Sequence, residues 1–290
     1  MNTKKTNVSS DLNFNKYMSE RKEMIEDCLD SMLPELKNDE LKDLTIAMRH
    51  TLFAGGKRIR PILTIAIYEY SKGEVEKIIL PACCIELFHT ASLMLDDLPV
   101  MDNASIRRGK PVIHKIVKSQ ITILAATSIA AKGFEILSRE LSKRDISASV
   151  LSMLIEMSAK MLGFEGASGG QYLDLSSKIL SEEDLLYIHM KKTSSLFYLC
   201  GLLGAEIGKL NTCEKGSILE YVRHVGLLFQ LVDDSNDINT DKKYNFANIF
   251  GTNNIKIKIE DEKNQALYHL NQLKGDTTTL RKIVDYIVSG

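Results

Sequence analysis

The sequence predicts an all-α protein, on three observations. All five prolines lie at or before Pro111, leaving 112–290 without one. Leu, Ile, Ala, Lys and Glu dominate the chain, and most of these lose little side-chain freedom in a helix. No sustained alternation of apolar and polar residues, the mark of a half-buried strand, runs through it. In chain order, residues 1–20 read as a polar N-terminal tail and 21–290 as a single domain, a size at which one chain buries one large core. Segments 115–142, 146–163, 181–208 and 214–237 repeat apolar residues every three to four positions and are read as long amphipathic helices. Besides the tail, only 238–265 is loosely composed, with Asn, Lys, Asp and Thr concentrated there. No internal repeat is present.

Composition excludes some classes of function. A net charge of −1 gives no footprint for nucleic acid or an anionic membrane surface. The opening residues hold no apolar stretch long enough for a signal peptide, and no stretch is read as a membrane span, so a cytoplasmic protein without stable membrane insertion is expected. Five cysteines, an odd number with Cys83 and Cys84 adjacent, suit reduced buried thiols rather than a disulfide framework.

Two aspartate clusters, Asp96-Asp97-Leu98-Pro99-Val100-Met101-Asp102 and Asp233-Asp234-Ser235-Asn236-Asp237, each end a strongly apolar run, where unpaired carboxylates are costly. Asp233 and Asp237, at i and i+4, share one helical face, with Asp234 swung aside. Pro99 cannot continue a helical ladder, so a bulge there would bring Asp102 back toward Asp96, and the clusters would then face each other. Oxygen ligands without a nearby Cys or His trio suit magnesium, which is held by a few carboxylates together with substrate phosphates. Gly55-Gly56-Lys57-Arg58-Ile59-Arg60-Pro61 precedes the first cluster and Arg107-Arg108-Gly109-Lys110 follows it. Beside a metal, these arginines read as forks for phosphate oxygens. Gly55-Gly56 lacks the spacing and the following Lys-Ser/Thr of a Walker loop.

With those residues in view, the chain resembles the trans-isoprenyl diphosphate synthases, and within them the geranylgeranyl diphosphate synthases. Five segments carry the resemblance: GGKRIRP (55–61), ELFHTASLMLDDLPVMDNASIRRGKPVIHK (86–115), GGQYLDL (169–175), KKTSSLF (191–197) and GLLFQLVDDSND (226–237). The resemblance implies a helical bundle around a deep central cavity, a homodimer, and magnesium-dependent condensation of isopentenyl diphosphate with an allylic diphosphate. By the same resemblance, Asp96, Asp97, Asp102, Asp233 and Asp237 are the metal set. Arg107, Lys192 and Gln230 contact the allylic diphosphate, and Lys57, Arg60, His89 and Arg108 hold isopentenyl diphosphate. Gln171, Asp174 and Thr193 line the cavity near the reacting carbons, where a helix break at Gly169-Gly170 would expose carbonyls.

The chain departs from the family pattern at 238–251, a segment several residues short. There Asn245 stands where threonine is usual, and Lys243 replaces at most one of two lysines that help close over the diphosphate. By the same resemblance, in which the growing chain descends along the helix before Asp96, product length is read from Ala91 and Phe88. Alanine at 91 leaves space for a chain that an aromatic would stop at fifteen carbons, and Phe88 would be the next obstacle, giving a twenty-carbon product. The alternatives are a farnesyl diphosphate synthase, a weakly active or non-catalytic partner subunit of a prenyl diphosphate synthase, and a class I terpene cyclase.

Overall fold

The computed structural model describes residues 3–35, 40–176, 178, 181–238 and 244–290, with side chains from Leu12 onward. Helices follow one another as α1 (Thr3–Met32), α2 (Lys42–Leu52), α3 (Ile59–Tyr70), α4 (Ile79–Asp96), α5 (Ser119–Ser142), α6 (Ala148–Leu162), α7 (Ala167–Ser176), α8 (Glu182–His189), α9 (Ser195–Ile207), α10 (Thr212–Asn236), α11 (Phe246–Phe250), α12 (Thr252–Leu270) and α13 (Thr278–Val288). Among the described residues the only sheet is a hairpin of β1 (Ile106–Arg107) and β2 (Lys110–Pro111), too short to show as an alternating pattern. The segment read as a tail is helical from Thr3, and most of the loosely composed 238–265 is helical from Phe246 onward.

Two compact units divide the chain, one of Met1–Ile62 with Glu76–Asp145, the other of Leu63–Val75 with Ile146–Gly290. In the first, α4 packs on α1 and α5, and α2 on α5. Ile25, Leu29, Leu52, Leu87, Phe88, Ile129 and Leu137 fill its core. Pro61 and Pro81 both stand in the first turn of their helices, where a missing N–H leaves no internal bond unmade. Arg58 crosses this core. Its side chain is fully buried and donates to Glu26 (2.8 Å), Glu86 (2.7 Å) and the Leu52 carbonyl (2.6 Å), tying α1, α2 and α4 together.

In contrast to the sequence reading, α4 and α5 are both long and apolar enough to cross a membrane by length and composition. Burial around most of its circumference explains α4. α5 keeps Ile123 and Leu124 exposed.

In the second unit α10 is central: α9, α12 and α13 pack on it, and α6 packs on α9. Between α8 and α9 the chain makes one π-helical turn, Met190–Ser194. Such wide turns insert a residue and concentrate at functional positions.

Candidate active site

Each unit builds its aspartate cluster at a helix C-terminus. In the first unit α4 ends at Asp96, Leu98 buries itself as an anchor, and the loop folds back through Met101 N–H to Leu98 O (2.9 Å), Asn103 N–H to Leu98 O (3.0 Å) and Asp102 N–H to Asp96 O (2.9 Å). That last bond brings Asp102 to Asp96, as the proline bulge predicted. Asp96 is half-buried and Asp102 exposed. Asp97 is turned inward. Its two oxygens accept from Arg107 Nε at 2.8 and 2.9 Å, and Arg107 Nη2 lies 2.6 Å from Oδ1.

Arg108 and Gly109 form the hairpin turn, both with positive φ (52° and 75°), the conformation two-residue hairpins require. The Arg108 guanidinium donates to the Gly55 carbonyl and lies against Gly56, where a Cβ would sit 2.7 Å from Arg108 Cζ. Glycine at 56 is set by its backbone, whose φ of 129° side-chain-bearing residues rarely adopt; the guanidinium that rests on it could shift. Through the loop 55–58 the backbone points Arg58 into the core and leaves Lys57 exposed, while Arg60 is buried in the first turn of α3. His89, on α4, records the resulting field. Burial, followed by Arg60, Arg108, Arg107 and Arg58, holds it well below the usual imidazole range, so it is neutral at pH 7.

In the second unit the π turn is hemmed in by two backbone approaches. A Cβ on Gly170 of α7 would lie 2.3 Å from Lys192 N, and one on Gly226 of α10 would lie 2.7 Å from Ser194 Cα. Lys192 Nζ donates to Asp174 at 2.6 Å. Thr193 Oγ1 donates to Gln230 Oε1 (2.7 Å), Gln230 Nε2 to Asp234 Oδ1 (2.9 Å), and the Phe246 N–H to Asp234 Oδ2 (2.8 Å), with His189 Nε2 3.6 Å away. Asp234 is buried and Asp233 exposed; Asp237 caps α10, its N–H bonded to Asp233 O. Buried Asn245 donates to Asp234 O (2.8 Å) and caps α11.

Several readings of the sequence need restating against this geometry. Gly169-Gly170 lies inside α7 and makes no helix break; the break is at 163–166, and the glycine serves close packing instead. Asp97 has both oxygens on Arg107. Phe88 is fully buried, its ring centroid 4.7 Å from that of Phe134, so this face of α4 meets α5. Ala91 is buried. Of the shortened segment, Phe246 and Ala247 are docked in a core cluster with Leu185, Leu231 and Ile255; Lys243 lies outside the described residues. All five cysteines are free, though Cys213 is exposed rather than buried. Reading the sequence missed Arg58, His189 and the clasp between Asp234 and Asn245. Only the spacing rule that set Asp234 aside pointed toward any of them.

The donor set fits magnesium. Asp96 and Asp102, like Asp233 and Asp237, offer only carboxylate oxygens, brought into proximity by backbone bonds. Gln171 is buried with both amide atoms unpartnered within the protein, a polar group that a bound molecule would satisfy.

A family model described as "Polyprenyl synthetase" matches residues 42–254. Geranylgeranyl pyrophosphate synthase 4 of Arabidopsis thaliana is 36% identical over 282 residues, covering 91% of this chain and 74% of that protein. The geranylgeranyl diphosphate synthase of Cyanophora paradoxa is 37% identical over 240 residues, covering 81% and 78%. Among solved structures, an FPP/GFPP synthase from Zymomonas mobilis superposes with a TM-score of 0.87 at 31% identity, covering 96% of this chain and 99% of that one.

Proposed function

The chain belongs to the polyprenyl synthetase family, and on that premise we propose that it condenses isopentenyl diphosphate with an allylic diphosphate to give geranylgeranyl diphosphate. The observation that carries this reading is the field at His89. Arg60 and Arg108 act on one neutral imidazole, with exposed Lys57 on the loop before Arg60, while Arg58 is spent on Glu26 and Glu86 and Arg107 on Asp97. Such a pocket suits a diphosphate bound without metal, and it is what a cyclase acting on one diphosphate would not need.

Asp96 and Asp102 in one unit, and Asp233 with Asp237 in the other, are the residues that would hold magnesium. When bound, the metal supplies Lewis-acid stabilisation of the departing allylic diphosphate. Arg107, its side chain fixed by Asp97, and Lys192, fixed by Asp174, add positive charge where negative charge develops. The allylic carbon–oxygen bond breaks, its electron pair leaving with the diphosphate. The isopentenyl double bond attacks the allylic carbon, and the proton then lost goes to the released diphosphate. Neutral His89, Arg60 and Arg108 orient the acceptor, and Gln171 and Thr193 line the reacting end. Asp97 and Gln230 act as positioning residues.

Product length is read along α4 at Ala91, with Phe88 below it acting through its packing on Phe134 of α5, which truncation would open. The exposed apolar residues Ile123 and Leu124 of α5 suit a second copy of the chain, a homodimer, better than lipid. Free cysteines favour the cytoplasm. Purified protein given magnesium, an allylic diphosphate and labelled isopentenyl diphosphate should yield a twenty-carbon product, with Ala91→Tyr shortening it and Phe88→Ala lengthening it. A protein inert alone that alters a catalytic relative's product would overturn the reading in favour of a partner subunit.

A further inference from the structure

On α10, Glu220 and His224 stand at i and i+4; on α12, Glu262 and His269 stand at i and i+7, so each pair shares one face of its helix. The two helices pack together. One ligand atom from each of Glu220, His224 and His269 lies within 4.8 Å of the others, the only such group of three or more His, Cys, Asp or Glu among the described residues. We propose that these three residues form a second metal site, for a divalent ion of the zinc class, separate from the diphosphate chemistry.

The donors decide the class of ion. Two imidazoles and one carboxylate match zinc and its neighbours, whereas magnesium takes oxygens. His224 is already set up as a ligand. Its Nδ1 lies 2.6 Å from Glu262 Oε2 and its Nε2 2.9 Å from Arg223 Nη2. Because Arg223 can only donate, Nε2 accepts, so Nδ1 carries the proton and donates to Glu262. A carboxylate behind a ligating histidine fixes the tautomer and strengthens the ligand. His269 stacks on His224 at 5.5 Å between centroids. Burial, followed by His224, lowers its affinity for a proton.

A cation already occupies this point of convergence. Arg223 donates through Nε to Glu220 Oε2 (2.9 Å) and through Nη2 to His224 Nε2. Metal binding is therefore an exchange: the ion takes both imidazoles and the carboxylate, and the guanidinium gives up two hydrogen bonds. Its Nη1 already lies 3.9 Å from Met190 Sδ. The bound ion would staple α10 to α12.

The test uses chelator-treated full-length protein, with Zn2+ titrated by calorimetry and Co2+ followed by visible absorption. With excess magnesium present to occupy the aspartate clusters, we expect one tight equivalent of each, with Co2+ bands of nitrogen and oxygen ligation and no sulfur charge-transfer band. Magnesium should not compete. Binding should be lost in His269→Gln and Glu220→Gln, tighten in Arg223→Gln, and weaken about 10- to 100-fold in Glu262→Gln. Absence of binding in both the wild type and Arg223→Gln would overturn the proposal, as would binding that survives His269→Gln or a cobalt spectrum dominated by cysteine. Prenyltransfer with magnesium alone does not depend on this outcome.

Discussion

The two aspartate clusters look alike in sequence, and the structure deploys them alike in one respect and differently in another. Each places its second aspartate inside: Asp97 is 2% exposed and Asp234 1%. Consecutive residues on a helix diverge by roughly 100°, so of two adjacent aspartates at a helix end only one shares a given face. Yet Asp97 is neutralised by a guanidinium, whereas Asp234 accepts from a side-chain amide and a backbone N–H. One inward aspartate holds a guanidinium, and the other fastens a chain segment. A doubled aspartate thus divides into one outward and one buried carboxylate, and what the buried one grips differs from site to site.

The largest effect should come from the outward aspartates. Asp96→Ala and Asp233→Ala should each lower turnover by about two to three orders of magnitude, the scale lost with a preorganised electrostatic contact. Stability should hold or rise, because removing one of several like charges relieves repulsion. Steady-state rates with denaturant unfolding check both halves, and near-normal turnover in either variant would break the likeness between clusters.

The inward aspartates should reverse that pattern, costing stability first. Asp97→Ala strands the Arg107 guanidinium, at about 2 to 3 kcal/mol, below the full penalty for a broken buried pair because Arg107 keeps some contact with water. The double variant Asp97→Ala, Arg107→Met should recover most of this loss. Asp234→Asn keeps one acceptor and should cost about 1 to 2 kcal/mol. No partner substitution should rescue it, since one of its donors is backbone. Equal rescue at both sites would erase the distinction.

The helices were legible because apolar periodicity is local: 146–163 against Ala148–Leu162 and 214–237 against Thr212–Asn236 differ by one or two residues at each end. The outward carboxylates were legible from spacing and a single proline. The rest needed contacts distant in sequence. Arg58 and Arg60 are alike in GGKRIRP, and only Glu26 and Glu86 decide that Arg58 is structural. The π turn has no compositional sign; it follows from Gly170 and Gly226 admitting the backbone of 192–194. The rule that sets Asp234 aside applies equally to Asp97, which the structure also turns inward.

A smaller effect tests the fastening itself. Asn245→Ala removes a helix cap and the bond to Asp234 O, and should cost about 1 to 2 kcal/mol. Amide exchange should quicken at Phe246 and Asn248 and leave the Asp102 amide unchanged. If Asp102 loosened equally, the two clusters would not be separate devices.

The smallest effect is a slope with pH, and it belongs to the first cluster's unit. His89 is held neutral by burial and by Arg60, Arg108, Arg107 and Arg58, so its folded pKa lies well below the ordinary imidazole value near 6.5. Between those two values the unfolded chain binds the proton and the folded chain does not. Stability must therefore fall as pH drops below about 6.5, by at most about 1.4 kcal/mol per pH unit from this one group, and be unaffected well above that pH. His89→Gln removes the titration while keeping a hydrogen-bonding side chain. The difference between wild-type and variant unfolding free energies should change with pH only below about 6.5, the variant gaining relative to the wild type as the solution is acidified. A difference flat down to pH 5 would mean that the arginines do not act on His89 as the structure places them, and the case for an anion pocket at that point of α4 would lose its main support.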